Sequence, residues 1–159
     1  MSSARSYLVD VAIILALALV ALAGYKFSPL LIPKADLTLM PVAGCDLHRQ
    51  ACMAEVPGGG RIGLEIAPHP IPVVQPMHIT MTLANLPADK VEVDFAGETM
   101  NMGFNRVELK PEAEGRYVGE ATIPVCVTGR MTWKATVLVE GAQRRIAVPF
   151  LFDAPISEN

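Results

Sequence analysis

The stretch VEVDF, Val91–Phe95, alternates apolar and acidic residues one for one. Residues two apart on an extended chain point to the same side, so the two valines and the phenylalanine share one face and the two carboxylates share the other. The segment TWKATVLVE, Thr132–Glu140, continues in the same mode, with Trp133 on its apolar face. Both segments predict strands that bury one face against a core.

Outward from these segments, the chain repeats short strand-like runs separated by turn sequences such as NLPADK, KPEAEGR and EGAQ. No helical periodicity of useful length is found after the N-terminal segment. The predicted strands are Arg61–Ile66, Met77–Asn85, Val91–Ala96, Phe104–Lys110, Tyr117–Ile123, Met131–Glu140 and Arg144–Phe152. About seven short strands predict an all-β fold, an immunoglobulin-like antiparallel β-sandwich over residues 61–153, with a short tail over residues 154–159.

A long apolar run precedes this domain. No charged residue occurs from Val11 to Tyr25, although Asp10 lies just outside. Counted from Tyr7, the run reaches the roughly 17–25 residues that a membrane helix needs, whereas a signal-peptide core takes about 7–15. The triplet Ala21-Leu22-Ala23 also matches a cleavage site. Residues 1–27 are therefore a transmembrane anchor, which we favour, or a cleaved signal helix, and both place the domain outside the cytoplasm.

Residues 28–60 are predicted to be a proline-rich linker, which runs into a first short strand, followed by a loop that contains CDLHRQAC. An oxidising compartment and a short loop favour a disulfide between Cys45 and Cys52, with Cys126 left over; two reduced thiols are the alternative. The spacing fits neither C-x-x-C nor a zinc pattern, which disfavours a thiol oxidoreductase. His48, between the two cysteines, could join a metal cluster only without the disulfide.

Charge and motifs narrow the class of function. A net charge of −3 and a pI of about 5.6 provide no basic field, so nucleic acid is not expected as a partner. The chain has no G-x-S-x-G elbow, no recognisable carboxylate pair and no phosphate-binding glycine loop, since VPGGGRIG lacks the lysine of a P-loop. We therefore expect a protein that is not an enzyme.

The segment AGETMNMGFN, Ala96–Asn105, holds the strongest candidate ligands, Met100 and Met102. On an extended chain their Cα atoms are about 6.5–7 Å apart on one side. Thioethers are soft and uncharged donors, and they select Cu(I) among biological metals. The alternative is that both methionines fill irregular gaps in a core.

A third donor would complete a Cu(I) site. The candidates are His78, Met77, Met81, Met131 and Cys126. Strand alternation puts His78 on the opposite face from Met77 and Met81, so His78 is predicted to be either a surface residue or a ligand. His69, between two prolines, is predicted to lie in an exposed loop.

Three further segments carry a resemblance. GETMNMG, GRYVGEATIP and TGRMTWKATVLV resemble the FixH-like and YtkA-like family of membrane-anchored bacterial domains over roughly residues 60–152. The matching positions are Met100, Met102, Gly103, Gly115, Tyr117, Gly119, Gly129 and Trp133. The CDLHRQAC loop and Cys126 depart from the family pattern.

The resemblance implies a single-pass protein of the bacterial inner membrane with a periplasmic immunoglobulin-like domain. It also implies a role in copper delivery to haem-copper oxidases or other cuproenzymes, with a cuproenzyme or a copper chaperone as partner. The rival expectation is a metal-free interaction domain that docks onto a membrane complex.

Overall fold

The computed structural model describes residues 2–31, 35–100, 103–124, 131–142 and 144–154. It divides into two compact units, Met1–Lys34 and Ala35–Asn159. The first unit contains helix α1, Ser2–Leu31, as expected from the apolar run. Its large apolar side chains between Val9 and Leu22 are exposed. No helix in the described part of the chain combines the length and the apolar character needed to cross a membrane.

The second unit is a nine-stranded sheet, which confirms the prediction of a β-rich domain. The strands are β1 Leu37–Thr38, β2 Cys52–Val56, β3 Gly60–Ala67, β4 Met77–Ala84, β5 Lys90–Gly97, β6 Arg106–Ala113, β7 Arg116–Ala121, β8 Met131–Glu140 and β9 Arg145–Ala154. Their order in the sheet is β1-β9-β8-β5-β6-β7-β4-β3-β2. Only β1 and β9 pair in parallel among these strands.

The sheet changes direction at β6. The first half of this strand pairs with β5, and its second half pairs with β7, with a shift of register between Pro111 and Ala113. Proline has no N–H to donate to a ladder and is therefore found at such irregularities. The two halves of the curled sheet contribute to one cluster of buried residues. Trp133 and Phe95 enter it from one half, and Met77 and Met81 from the other.

The sequence predicts a loop from Cys45 to the three glycines, but the structure places strand β2 within this segment. Cys52, Ala54 and Val56 are buried, and Met53 and Glu55 between them are exposed, so the segment has the period of a half-buried strand. Gly58 and Gly59 then turn the chain with φ of 104° and 92°, values that L side chains rarely adopt. The glycines therefore close a hairpin between β2 and β3 instead of extending a loop.

Antiparallel pairing gives the sheet two distinct ends. The Gly97 end, as we name it, contains the end of β5 at Gly97 and the start of β8 at Met131. The Gly141 end contains the β8–β9 turn at Gly141 and the start of the unit at Ala35, because Asp36 N–H donates to the carbonyl of Arg145. A strand rises about 3.3 Å per residue, so the length of β8 separates the ends by about 30 Å.

Candidate functional site

The Gly97 end brings two of the predicted ligand residues together. A Cβ on Gly97 would lie 2.7 Å from the carbonyl oxygen of Met100 and 3.1 Å from both Sδ and Cε of Met131. Only a residue without a side chain allows this approach. The backbone of Met100 and the thioether of Met131 therefore meet over Gly97. Met131 is 6% exposed, and Met100, on the loop, is 44% exposed.

Hydrogen bonds on both sides hold the loop that carries Met100. Glu98 N–H donates to the carbonyl of Thr132 at 3.0 Å, which extends the β5–β8 contact beyond Gly97. On the return, Phe95 N–H donates to the carbonyl of Asn105 at 2.8 Å. The amide of Asn105 in turn donates to the carbonyl of Thr122 at 3.0 Å. The loop is thus fixed to β8 on one side and to the end of β7 on the other.

Two predicted ligands, Met102 and Cys126, lie outside the described residues. Their nearest described neighbours along the chain, Gly103 for Met102 and Pro124 for Cys126, follow strands whose ends are at the Gly97 end. Both predictions therefore stay open.

His78 is not brought to Met131. Its side chain is 68% exposed on the outer face of β4, and its Nδ1 lies 3.2 Å from Oε1 of Glu120. Met131 points into the core from β8. Met77 and Met81 are fully buried on the opposite face of β4, as the strand alternation predicts.

The predicted disulfide is present: Cys45 and Cys52 are bonded, with Cα atoms 5.7 Å apart. Between them, His48 Nδ1 accepts the N–H of Ile71 at 3.1 Å, and His48 Nε2 lies 2.5 Å from the carbonyl oxygen of Asp153. This geometry fits the neutral imidazole that carries its proton on Nε2. Both ring nitrogens are engaged, so His48 fastens the loop and has no nitrogen to offer a metal.

No direct sequence signal points to this role of His48, because its partners lie 23 and 105 residues away. One local signal exists. Asp46 Oδ1 accepts the N–H of His48 at 2.9 Å, and an Asp that bonds two residues on forms a turn. The turn aims the imidazole at the body of the sheet, where its ring meets Phe152 edge-on at 6.0 Å.

Two further features mark the Gly97 end. The buried Nε1–H of Trp133, which is opposite Gly97 in the β5–β8 register, has no hydrogen-bond acceptor among the described residues. An unpaired buried donor of this kind costs about 1–3 kcal/mol of stability. In addition, Val74, Met100 and Phe104 are exposed apolar residues of the loops at this end, and we call them together the exposed apolar surface. Val74 and Asn105, the neighbour of Phe104, bond to the adjacent carbonyls of Ile123 and Thr122.

The donor types at this end limit what can be bound. Within the described ranges, no group of three His, Cys, Asp or Glu side chains could hold a metal ion. Of the predicted ligands, the structure describes Met100 and Met131 at the Gly97 end, and their thioether sulfurs are donors that suit a soft ion.

Comparison with protein-family models, with curated protein sequences and with solved structures found no match to the chain.

Proposed function

We propose that this chain is a binding module, held at a membrane by α1, that carries Cu(I) on methionine thioethers at the Gly97 end during the maturation of a cuproenzyme. The observation that carries the proposal is the approach of the Met100 backbone and the Met131 thioether to Gly97, which puts the two residues at one site. Met131 offers a sulfur at the edge of the core, and Met100 lies on the exposed rim. An ion held between them would be shielded on one side and open to a partner on the other.

The resemblance to the FixH-like and YtkA-like domains supports the same proposal. It supplies the finer description of the fold as an immunoglobulin-like sandwich, with which the curled sheet and its single core agree. It also supplies the location, a bacterial inner membrane with the domain in the periplasm. Cuproenzyme or copper-chaperone partners belong to this proposal as well.

Membrane attachment rests on the apolar side chains that α1 exposes, from Val9 to Leu22. Apolar surface of this extent is stabilised when lipid covers it. The test is extraction of membranes with carbonate: the full chain should stay in the pellet. Release of an intact chain into the supernatant, or a mature chain that begins at Gly24, would exclude a retained anchor.

Competition for Cu(I) with a chromophoric chelator tests the copper proposal on the full chain in detergent. The double variant Met100→Ile and Met102→Ile conserves apolar volume and removes two thioethers. Its Cu(I) affinity should fall by more than about tenfold, or about 1.4 kcal/mol. The matched control replaces Met40 and Met53, which are exposed elsewhere, by isoleucine and should bind as the parent does.

The second candidate is a metal-free interaction domain that docks onto a membrane complex. The exposed apolar surface favours it, because Phe104 is 81% exposed and Val74 has a φ of 59°. A β-branched residue in the left-handed region is strained, and such strain concentrates at functional sites. If the Met100/Met102 double variant binds Cu(I) as tightly as the parent, this candidate replaces the first.

A further inference from the structure

A cavity lies at the Gly141 end, about 30 Å along β8 from Met131. Its volume is about 230 Å³. The lining residues are Asn85, Leu86, Pro87, Val139, Gly141, Ala142, Arg144 and Ile146. Most of this wall is apolar, and the two groups with strong hydrogen-bond donors are Asn85 and Arg144. The space is that of one large apolar side chain and is smaller than the roughly 300–1,000 Å³ of a drug-sized pocket.

Arg144 carries a charge that the described residues leave unpaired. Its neighbour Arg145 pairs with Glu140, but no carboxylate in the described part of the chain lies within ion-pair distance of Arg144. One of its terminal nitrogens lies 3.8 Å from the position of a Cβ on Gly58. The glycine turn between β2 and β3 therefore supports the guanidinium at the rim of the cavity.

Asn85 is the second free polar group. Its backbone is in the left-handed region, with a φ of 55°, a conformation that asparagine tolerates better than most residues. No hydrogen-bond partner of its side-chain amide occurs among the described residues. The cavity thus combines apolar walls with an amide and a guanidinium that have no partner in the described chain.

A second, more open cavity of about 380 Å³ adjoins the first and shares Arg144 with it. Its carboxylates belong to Asp36, Asp89 and Glu140. Asp36 accepts the N–H of Arg145 at 2.8 Å, and Glu140 pairs with the Arg145 side chain, but Asp89 has no ion-pair partner in the described chain. This negative charge disfavours a dianion such as phosphate beside Arg144 and tolerates a single carboxylate.

We propose that the cavity binds a monocarboxylate attached to one apolar side chain, as at the C-terminal residue of a peptide. The apolar side chain would fill the cavity between Leu86, Val139 and Ile146. The carboxylate would pair with Arg144 in the two-bond geometry that suits guanidinium, and Asn85 would bond the adjoining amide. The site is independent of copper binding at the opposite end.

The test is an NMR titration of the full chain in detergent with N-acetyl-L-leucine, and with N-acetyl-L-leucinamide as its neutral counterpart. The acid should give saturable shifts at Gly141 and Ala142, and the amide should bind at least about tenfold more weakly, a difference of about 1.4 kcal/mol. Equal binding of acid and amide, or tighter binding of inorganic phosphate, would overturn the proposal.

Variants make the titration specific to this cavity. Arg144→Gln should reduce the affinity for the acid to that for the amide, and Ala142→Phe, which fills the cavity, should abolish binding of both. The matched control Arg49→Gln changes an exposed arginine at the other end, paired with Asp46, and should bind as the parent does. Unchanged binding by Arg144→Gln would sink the proposal. Titrations with acetyl-Ala-Ala-Leu and with hexanoate then show which natural ligand the cavity prefers, the C-terminus of a peptide or a free aliphatic acid.

Discussion

The two ends of the sheet are held by different kinds of interaction. At the Gly97 end, the Cys45–Cys52 bond and the two hydrogen bonds of His48 fix the loops to the sheet. At the Gly141 end, partly exposed ion pairs accompany a short β8–β9 turn, among them the pair between Arg145 and Glu140. Long loops lose more conformational entropy on ordering than short turns do. The end with long loops therefore needs the stronger restraints.

This comparison bears on function as well as stability. A soft-metal site requires donors held at fixed separations, and at the Gly97 end the hydrogen bonds of Glu98 and Phe95 hold the segments on both sides of Met100. The Gly141 end presents a cavity whose walls are the strands themselves, Val139 of β8 and Ile146 of β9. Each predicted change below should act on one end and leave the other unaffected.

Removal of the disulfide should have the largest effect. Replacement of Cys45 and Cys52 by alanine should lower the free energy of unfolding by about 2–3 kcal/mol, because the unfolded chain gains the entropy that the short closed loop withholds. Denaturant unfolding monitored by the fluorescence of Trp133 measures this. The control at the other end, Glu140→Gln, breaks a partly exposed ion pair and should cost less than about 1 kcal/mol. Equal losses would refute the contrast between the ends.

The second-largest loss of stability is expected on replacement of His48. His48→Ala leaves the N–H of Ile71 and the carbonyl of Asp153 without their partner, a cost of about 1–3 kcal/mol when the groups stay shielded from water. The matched histidine, His78, is exposed, and its only side-chain partner among the described residues is Glu120. His78→Ala should change the free energy of unfolding by no more than about 0.5 kcal/mol. The denaturant midpoints of the two variants are compared. Similar midpoints would mean that His48 does not hold the loop.

The alternation of apolar and polar residues predicts most of the sheet. Buried and half-buried residues alternate along all of β8, and Val91, Val93 and Phe95 of β5 are buried, as VEVDF indicates. Strand β2 has the same alternation over five residues, but the adjacent cysteines and glycines favoured a loop. The pairing of β2 with β3 depends on tertiary contacts, so the local composition of β2 does not predict it.

The site was less accessible to sequence reasoning. The M-x-M spacing indicates Met100 as a candidate ligand. The position of Met131 at the start of a predicted strand indicates that Met131 is a core residue. Both residues approach Gly97 closely because it has no side chain, and the sequence places Gly97 next to neither methionine. The Arg144 cavity was missed altogether, since it assembles residues from Asn85 to Ile146.

Gly97→Ala should act on both stability and metal binding. Its Cβ would force the carbonyl of Met100 and the thioether of Met131 apart, at a cost of about 1 kcal/mol, the low end of overpacking. The Cu(I) affinity should fall although no donor is removed. In Gly60→Ala, the control, the nearest contact is an ordinary 3.4 Å to Leu86, and Cu(I) affinity should not change. A Gly97 variant with the parent's affinity would show that this contact does not position the donors.

The smallest effect is expected at Lys90, near the Gly141 end. Its hydrogen bond to Glu92 raises the pKa of Lys90 above its ordinary value of 10.5, with Glu108 contributing in the same direction. Because the folded pKa is the higher one, this stabilisation is fully present below pH 10.5 and is lost as the pH rises through the raised value. The difference in denaturant midpoint between the parent and Lys90→Met should shrink from about pH 9 to pH 12. A constant difference would exclude the linkage.

X-ray absorption at the copper edge tests the central claim most directly. The full chain, loaded with one equivalent of Cu(I) in detergent, is compared with the Met100→Ile/Met102→Ile variant under the same conditions. Our account predicts sulfur scatterers around the ion in the parent and fewer of them, or no retained copper, in the variant. A parent spectrum with only nitrogen and oxygen neighbours, or one that the double variant reproduces, would contradict thioether binding at the Gly97 end.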